Sequence, residues 1–572
     1  MIRFSGLVNA VHRFLGMSRK EIRSAATGVP DGRNRRGRRR SACDLLGNGV
    51  QGKLAGLSSL RAVETLTEVA QGGPTGTCGG RRMPDNTLHG MLEVSGEDTI
   101  GGFLARLTRT WHRAKKLEPV HGQRIAGEVP HVLVYDGKQS VASEVEQPAP
   151  YFKKSTSKTS VVDGKKVKEK VTYWAADFVR CVLGSAAAGV CIGLGTVVNS
   201  DEVGAVKDLH ARMLDEHRWL RTDAVLVLAD AKHGNKDFIK QLGDPYPEPR
   251  QQGRRPGTQY YLLKIKGNAG AIFKEGLAAI RRKANVEPPE AVTDFENAGH
   301  GRRTRRELYR VETNLAYGAD QDEAWRLSNA EDLAVLSKKD WPTVRQIVCV
   351  KETTIHKQPV RSCNRRRNDK NRKNVRRRTS KQERTTVTWR LAVTNVKRED
   401  VTPIALLRFF RMEWAVEVHH NLLDLVMRED DQPWARLRQA PIAMAGLNSI
   451  AANLLAMLKL RYLRAEASHT TLSYPQLVSL IFMVMTAGKV ARILQANGTA
   501  KSIQVGGPTP STEEVDPEFA KQWSDADLSQ ILAAIQILFG LALRLLSHLH
   551  KVNLTVSADS GCSAISMVLQ TE

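Results

Sequence analysis

The pattern of apolar and polar positions predicts a chain that opens with helices. Phe103 to Lys116 has the period of an amphipathic helix, with apolar residues on one side. The run Pro84-Asp85-Asn86-Thr87 offers a capping residue for a second helix over Leu88 to Leu92. Residues 1 to about 120 are therefore predicted to be mostly helical.

A different pattern begins near residue 131. His131 to Tyr135 is a short β-rich run that stops at Asp136, and Ala224 to Ala229 is a continuous apolar run that stops at Asp230. Apolar runs without alternation are typical of strands that are covered on both faces, as in an α/β sheet. Each aspartate is therefore predicted to end a strand.

The segments around these two strands complete an α/β series of three strands, helix, strand, helix, strand and helix. A second Asp-Gly-Lys, at Asp163, lies between two Lys- and Thr-rich alternating runs and predicts the two-residue turn of a hairpin. The remaining predicted strands are 171–183, 189–198 and 259–265, and the predicted helices are 201–217 and 272–283.

From 285 to 400 the sequence is β-like and strongly basic. Between Arg361 and Arg384 there are twelve Lys or Arg residues and two acids, a net charge of +10, with almost no apolar residues. Such a block cannot build a core and is predicted to stay disordered until it meets an anion. After it, apolar helices are predicted over 440–463, 474–485 and 528–550.

The helix that includes Glu417 carries acidic and apolar residues in one period. Trp414, Leu422 and Leu425 are spaced for packing on a core, whereas Glu417, His420 and Asp424 are offset by three and seven residues and point one way. A carboxylate in this position can face a cleft, although acidic residues on amphipathic helices more often face solvent.

Composition adds a strong preference about partners. The 86 basic and 60 acidic residues give a formal net charge of +26, which favours a polyanionic partner, most simply nucleic acid. The alternative is a basic protein without such a partner.

The seven cysteines are odd in number and form no C-x-x-C pair, which argues against a disulfide framework or zinc knuckle. The apolar run Ile531 to Leu543 is shorter than the ~20 residues of a membrane helix.

Three carboxylates on this frame indicate metal chemistry. Asp136 and Asp230 are expected at the carboxyl edge of one sheet, where open α/β sheets bind ligands, and a later helix can bring Glu417 beside them. Oxygen ligands of this kind suit Mg²⁺ or Mn²⁺. Two such ions can activate an attacking water or 3′-hydroxyl and stabilise the leaving oxygen of a phosphoryl transfer.

A series of short motifs runs along the chain in a fixed order, from roughly residue 20 to residue 460. They are Val29-Pro30-Asp31-Gly32-Arg33, Tyr135-Asp136-Gly137-Lys138, Asp230-Ala231, Lys266-Gly267-Asn268, Gly299-His300-Gly301-Arg302 and Arg428-Glu429-Asp430. The most specific motif is Arg411-x-x-Trp414-x-Val416-Glu417 with His420 and Leu423-Asp424. Together they resemble the DDE transposases of bacterial insertion sequences, most closely the branch with the H-repeat-associated proteins.

The resemblance implies a ribonuclease H-like α/β core, a mixed sheet flanked by helices, with a mainly β insertion and helical N- and C-terminal regions. The expected parts are a basic helical region at 1–120 for DNA binding or dimerisation, a core at 121–284 and 401–465, a β-rich basic insertion at 285–400, and a helical extension at 466–572. Asp136, Asp230 and Glu417 match the catalytic, metal-binding residues for two Mg²⁺ (or Mn²⁺) ions.

The same resemblance implies supporting residues and partners. His420 and Asp424 match recurring positions near the glutamate, and the expected DNA contacts are Lys138, Lys266, Arg302, Arg303, Arg305, Arg365, Arg366, Arg367 and Arg411. The expected partners are terminal inverted repeats and target DNA, bound by a homodimer without a membrane, in the bacterial cytoplasm beside the nucleoid.

Two other functions remain open at the level of sequence. A transposase-derived protein could bind DNA through its basic segments without turnover, and an RNA-directed ribonuclease H-like nuclease would use similar carboxylates. His420 follows Glu417 by three residues, where the closest branch has four. The block 361–384 and the tail beyond about 465 go past the family pattern and are either added DNA-binding or dimer-forming parts or marks of a degenerate copy.

Overall fold

The structure is a computed structural model. It describes residues 4–34, 38–69, 82–162, 165–243, 258–267, 271–297, 302–314, 324–327, 335–337, 341, 343–359, 381–430, 433–463, 472–482, 484–485, 552–557 and 566–571.

The N-terminal region is helical where it is described, as its sequence pattern predicts. The side chain of Ser41 accepts a hydrogen bond from the backbone N–H of Asp44 and so caps the second helix. The helices are α1 (Phe4–Ala26), α2 (Ala42–Leu54), α3 (Leu60–Val69), α4 (Asp85–Val94) and α5 (Glu97–Arg113).

The arginine-rich loop after α1 is partly folded onto itself. The guanidinium of Arg33 donates hydrogen bonds at 2.9 and 2.6 Å to the carboxylate of Asp31, and a further one to the backbone carbonyl of Arg40. Arg33 is only 7% exposed. This arginine therefore closes the loop and does not extend towards a ligand, whereas Arg35 and Arg36 lie outside the described residues.

The centre of the molecule is a mixed sheet in the order β4-β3-β1-β5-β6. Its strands are β1 (His131–Ser143), β2 (Phe152–Val162), β3 (Lys165–Leu183), β4 (Val190–Thr196), β5 (Val225–Ala229) and β6 (Gln259–Lys264). Strands β1, β3 and β4 pair antiparallel, and β5 is parallel to both β1 and β6. Strands β2 and β3 form the predicted hairpin, with Val162 opposite Lys165, while its turn lies outside the described residues.

Helices cover both faces of this sheet. On β4, Gly193 packs on Met213, whereas the next residue, Leu194, lies near Gly446. Because successive strand residues point to opposite faces, the helices that carry Met213 and Gly446 lie on opposite sides. These helices are α6 (Glu202–Glu216) and α11 (Ala440–Met457), and α7 (Lys236–Gly243) and α8 (Ala271–Val286) complete the α/β series.

Helix α11 is the central helix of the core, and its residues are buried throughout. Within the described residues, the stretch Ala440–Leu460 is long and apolar enough to cross a membrane, but it lies wholly inside the protein. Core helices of soluble proteins have the same composition. The predicted helix at 528–550, including the apolar run 531–543, lies outside the described residues.

The basic β-rich region continues the core sheet. Its last strand, β12 (Lys381–Thr394), pairs antiparallel with β6, with Ala392 opposite Lys264, so that twelve strands of the described part of the chain form one sheet. The strands of this region are β7 (Ala291–Asn297), β8 (Arg302–Asn314), β9 (Ala324–Leu327), β10 (Val335–Ser337), β11 (Gln346–Pro359) and β12 (Lys381–Thr394). Residues 360–380, most of the basic block, lie outside the described residues.

Two short helices lead back from the insertion to the core. Helix α9 (Pro403–Met412) is capped by Thr402, whose side chain accepts a hydrogen bond from the backbone N–H of Ala405. It is followed by α10 (Trp414–Leu425), which contacts β1 and β3. Near the end of the chain, β13 (Val552–Ser557) pairs with β14 (Ser566–Thr571).

Candidate active site

Asp136 and Asp230 lie at neighbouring strand ends. The parallel pairing of β1 with β5 ends with Tyr135 opposite Ala229, and each aspartate is the next residue along its chain. Strand β1 itself does not stop there, which corrects the prediction. It continues to Ser143 because β3 is a longer antiparallel partner and places Arg180 opposite Asp136.

Helix α10 brings acidic residues to the same edge of the sheet. Glu413, immediately before the helix, is buried and forms an ion pair with Lys264, the last residue of β6. Burial raises the pKa of Glu413 to about 7, and the negative charges of Asp230 and Glu417 add to this effect. The charges of both of those carboxylates therefore act on Glu413.

The other end of the same helical face reaches Asp136. Nδ1 of His420 lies 3.6 Å from Oδ2 of Asp136. Burial, together with the positive charge of Arg180, lowers the pKa of His420 to about 2, so this imidazole is neutral and does not balance the carboxylate's charge. Glu417 lies four residues after Glu413 and three before His420, hence on the same face and between them.

The buried face of α10 is not the face that the sequence pattern predicts. Trp414 and Leu425 are 49% and 76% exposed, whereas Leu422 is buried as predicted. The buried stripe consists of Val416, His419, Leu422 and Leu423. Because this stripe packs on the sheet, the acidic face of α10 borders the strand ends, and Glu417 remains exposed.

Asp424 and Lys138 contact each other. The ammonium of Lys138 lies 2.6 Å from Asp424 and 2.9 Å from Asp430, and its side chain is 9% exposed. Burial alone would lower the pKa of Lys138, but the two aspartates raise it. A DNA phosphate would have to displace one of these carboxylates, so the predicted phosphate contact of Lys138 is already occupied within the protein.

The tightest potential metal-binding group in the described part of the chain contains one predicted residue and two that sequence reasoning missed. Oxygen or nitrogen atoms of Asp136, Glu202 and His233 lie within 4.8 Å of one another. Asp230 and Glu417 belong to no such group there, so the predicted trio is not gathered this closely. His233 follows Asp230 in a short turn, and Glu202 is the first residue of α6.

Glu202 is held by two cationic or potentially cationic groups. Nε2 of His233, which is fully buried, lies 2.9 Å from its carboxylate, and Lys232 forms an ion pair with it. Burial alone would raise the pKa of Glu202, but His233 and Lys232 outweigh it and hold the pKa at about 2. Glu202 is therefore ionised at neutral pH.

Asp136 is in a more crowded environment. Burial raises its pKa to about 6, and the negative charges of Asp230 and Glu202 add to the rise. His233 and the backbone N–H of Gly137 act in the opposite direction without overcoming it. Several carboxylates therefore lie at this edge of the sheet, and the nearby positive charges do not fully balance them. Carboxylate oxygens in such a setting fit a hard divalent cation.

Most of the predicted DNA-binding residues in the described part of the chain are accessible to solvent. Lys266, Arg303, Arg305 and Arg411 are exposed, and Arg302 is partly exposed. Arg305 lies 3.1 Å from Glu307 and Arg302 lies 3.9 Å from Glu352. Arg365, Arg366 and Arg367 lie outside the described residues. Their contacts with DNA stay predictions.

Comparison with known proteins adds one distant similarity. No family model matches the sequence, and no curated protein matches it. Among solved structures, the chain is similar to piggyBac transposase in a synaptic complex with hairpin DNA, with 10% sequence identity and a TM-score of 0.34, over 89% of this chain and 86% of that one. A TM-score this low does not establish a common fold, and no function of this chain follows from it.

Proposed function

We propose that the chain is a DNA transposase that cuts and joins DNA at the ends of an insertion sequence. The observation that carries the proposal is the course of α10, which passes from Lys264 at the end of β6 to Asp136 on β1. The contacts of Glu413 with Lys264 and of His420 with Asp136 support an arrangement in which Glu417, which lies between them along the helix, borders the strand ends that carry Asp230 and Asp136. The mixed sheet β4-β3-β1-β5-β6 with helices on both faces also agrees with the mixed sheet flanked by helices that the resemblance implies.

Asp136, Asp230 and Glu417 are the residues that would hold two Mg²⁺ or Mn²⁺ ions. Their donors are oxygens, and Asp136, whose pKa is raised mainly by burial and further by the charges of Asp230 and Glu202, would be stabilised in its ionised form by a bound cation. When bound, such ions supply an activated water or 3′-hydroxyl and stabilise the leaving oxygen of a phosphodiester. Glu202 and His233 lie next to Asp136 and would act as its positioning residues.

The basic residues of the chain favour DNA as the substrate. A net charge of +26 attracts a polyanion such as DNA, and the exposed arginines of β8 lie on the strand region that joins the core at β6. Cleavage and joining of two element ends would require two such active sites, hence a homodimer on terminal repeats and target DNA. We place this activity in the bacterial cytoplasm, beside the nucleoid.

The decisive test is the variant Asp230→Asn. Asp230 is exposed at a strand end, so the substitution removes a metal ligand without opening the core. We expect Mg²⁺-dependent cleavage of the element's ends to be abolished, while DNA affinity stays within a few fold. Asp237→Asn, an exposed position on α7, is the matched control and should cleave normally. An equal loss of binding and cleavage would count against the proposal.

A transposase-derived DNA-binding protein without turnover is the second candidate. It is favoured by the grouping of Asp136 with Glu202 and His233 in place of Asp230 and Glu417. Purified protein that binds its own element ends but does not nick them with Mg²⁺ or Mn²⁺ would support this candidate.

A further inference from the structure

A charged cleft lies where the β-rich region joins the core, beside Glu413. It encloses about 390 Å³, part of it open to solvent. It is lined by residues of β6, β8, β11 and β12, of the end of α9 and of the start of α10. The lining residues are Lys264, Arg306, Val350, Glu352, Arg390, Phe410, Arg411, Glu413 and Trp414.

Positive charge is in excess around this cleft. The buried carboxylate of Glu352 lies 2.7 Å from Arg306, 3.8 Å from Arg390 and 3.9 Å from Arg302, so that one anion serves three guanidinium groups. Lys264 is paired with Glu413. Five basic side chains thus share two carboxylates, counting Arg411 with the four already named.

Among the basic side chains of the cleft, Arg411 has the least negative charge near it. In the described part of the chain no carboxylate lies within 4.0 Å of it. Partial burial lowers the pKa of its guanidinium, and the positive charge of Arg306 adds to the effect, while the charge of Glu352 opposes it without overcoming it. Guanidinium groups that converge without enough internal anions are suited to an external one, because their planar N–H donors match the oxygens of a phosphate.

We propose that this cleft binds a backbone phosphate of the DNA strand adjacent to the active site, with Arg411 and Arg306 as its main donors. The inference rests on the proposed function, because it takes DNA as the substrate. The cleft shares Glu413 with the candidate active site, so a phosphate held there fixes the strand beside Asp230. It also gives the β-rich region a role, since β8, β11 and β12 supply Arg306, Glu352 and Arg390.

The test measures DNA binding without catalysis. Wild-type protein and the variant Arg411→Gln are titrated against fluorescein-labelled duplex DNA of arbitrary sequence, in EDTA, over a series of KCl concentrations. We expect the Arg411 variant to bind about tenfold more weakly at low salt. The slope of log affinity against log salt should fall by about one for each lost phosphate contact.

Arg408→Gln is the matched control, because Arg408 is exposed on the same helix and does not line the cleft. It should leave the salt slope unchanged. If Arg408→Gln and Arg411→Gln lower the affinity equally with no difference in slope, the cleft is not a phosphate site. Thermal unfolding of each variant verifies that the fold is retained.

A second arm separates DNA from free phosphate. Inorganic phosphate is added at constant ionic strength, and its binding to wild-type and Arg411→Gln protein is followed by ³¹P NMR line width. Binding that depends on Arg411 for inorganic phosphate but not for DNA would overturn the proposal and leave a small-anion site. Because EDTA removes divalent metal, a catalytically inactive chain gives the same result, so this test fails or succeeds independently of cleavage.

Discussion

The carboxylate of Glu202 occupies the space that a side chain at position 137 would need. A Cβ atom on Gly137 would lie 2.3 Å from Cδ of Glu202 and 2.5 and 2.8 Å from its two oxygens. The start of helix α6 therefore packs directly against β1, at the residue that follows Asp136. A side chain at position 137 would therefore push the Glu202 carboxylate away from its present position.

Gly137→Ala should displace Glu202 and disturb its neighbours Asp136 and His233. We expect a loss of about 1–3 kcal/mol in the free energy of unfolding, as for other overpacked sites, and weaker Mn²⁺ binding. Urea unfolding and calorimetric titration with MnCl₂ measure the two effects. Gly90→Ala, at a helical glycine with open space around it, should be neutral or slightly stabilising. Equal effects of the two substitutions would show that Glu202 moves away freely.

The raised pKa of Asp136 predicts a particular dependence of stability on pH. Its ordinary pKa is 3.8 and its folded pKa is about 6, so between these values the folded state binds more protons than the unfolded state. Raising the pH through this window therefore destabilises the protein. Asp136→Asn cannot titrate, so its stability relative to wild type should grow by on the order of 1–2 kcal/mol from about pH 4 to about pH 7.

Urea unfolding in EDTA at several pH values measures this difference. Asp237→Asn, in the exposed first turn of α7, serves as the control and should follow wild type at every pH. A constant difference between Asp136→Asn and wild type would show that Asp136 has no raised pKa in the folded protein.

Local sequence pattern was sufficient to find β5 and the first part of β1, and hence the positions of the two aspartates, although it ended β1 too early. The continuous apolar runs before Asp136 and Asp230 correspond to the buried, parallel strands β1 and β5. The period of α10 likewise places Glu417, His420 and Asp424 on one face. These features depend on neighbours within a few residues, which is why a single sequence reveals them.

Glu202 and His233 could not be found in the same way, because long-range packing places them. His233 is held in a turn whose next residue, Gly234, lies so close to the carbonyl oxygen of Lys264 that a Cβ would meet it at 1.7 Å. Glu202 joins the site because α6 crosses β1. The pairing of β12 with β6 is also long-range, which is why the β-rich region could not be recognised as a continuation of the core sheet.

The buried pair Arg180–Glu429 should make a large contribution to holding α10 on the sheet. The two side chains are 0% and 2% exposed and lie 2.5 Å apart, and Ser140 also donates a hydrogen bond to Glu429. Glu429→Ala leaves a buried guanidinium without its anion and should cost about 3–5 kcal/mol of folding free energy. Glu399→Ala, at an exposed acid, should leave the urea midpoint unchanged. Similar midpoints for the two variants would contradict the prediction.

Thermal shift with MnCl₂ can decide which carboxylates hold the ion. An ion bound only by the folded state at a hundred times its dissociation constant stabilises the protein by about 2.7 kcal/mol, so loss of a ligand appears as loss of the shift. We expect Asp230→Asn and Glu417→Gln each to remove most of the shift. Glu202→Gln should weaken binding by roughly tenfold, because Glu202 acts on the ion through Asp136 and His233.

The opposite order is equally informative. If Glu202→Gln removes the shift and Glu417→Gln leaves it intact, the ion is held by Asp136, Glu202 and His233, and the assignment of Glu417 as a ligand is wrong. Glu275→Gln, an exposed position on α8, controls for the loss of one negative charge and should behave as wild type. The comparison is clean because Glu417 is exposed, so its substitution leaves the packing of α10 unchanged and alters only what its carboxylate binds.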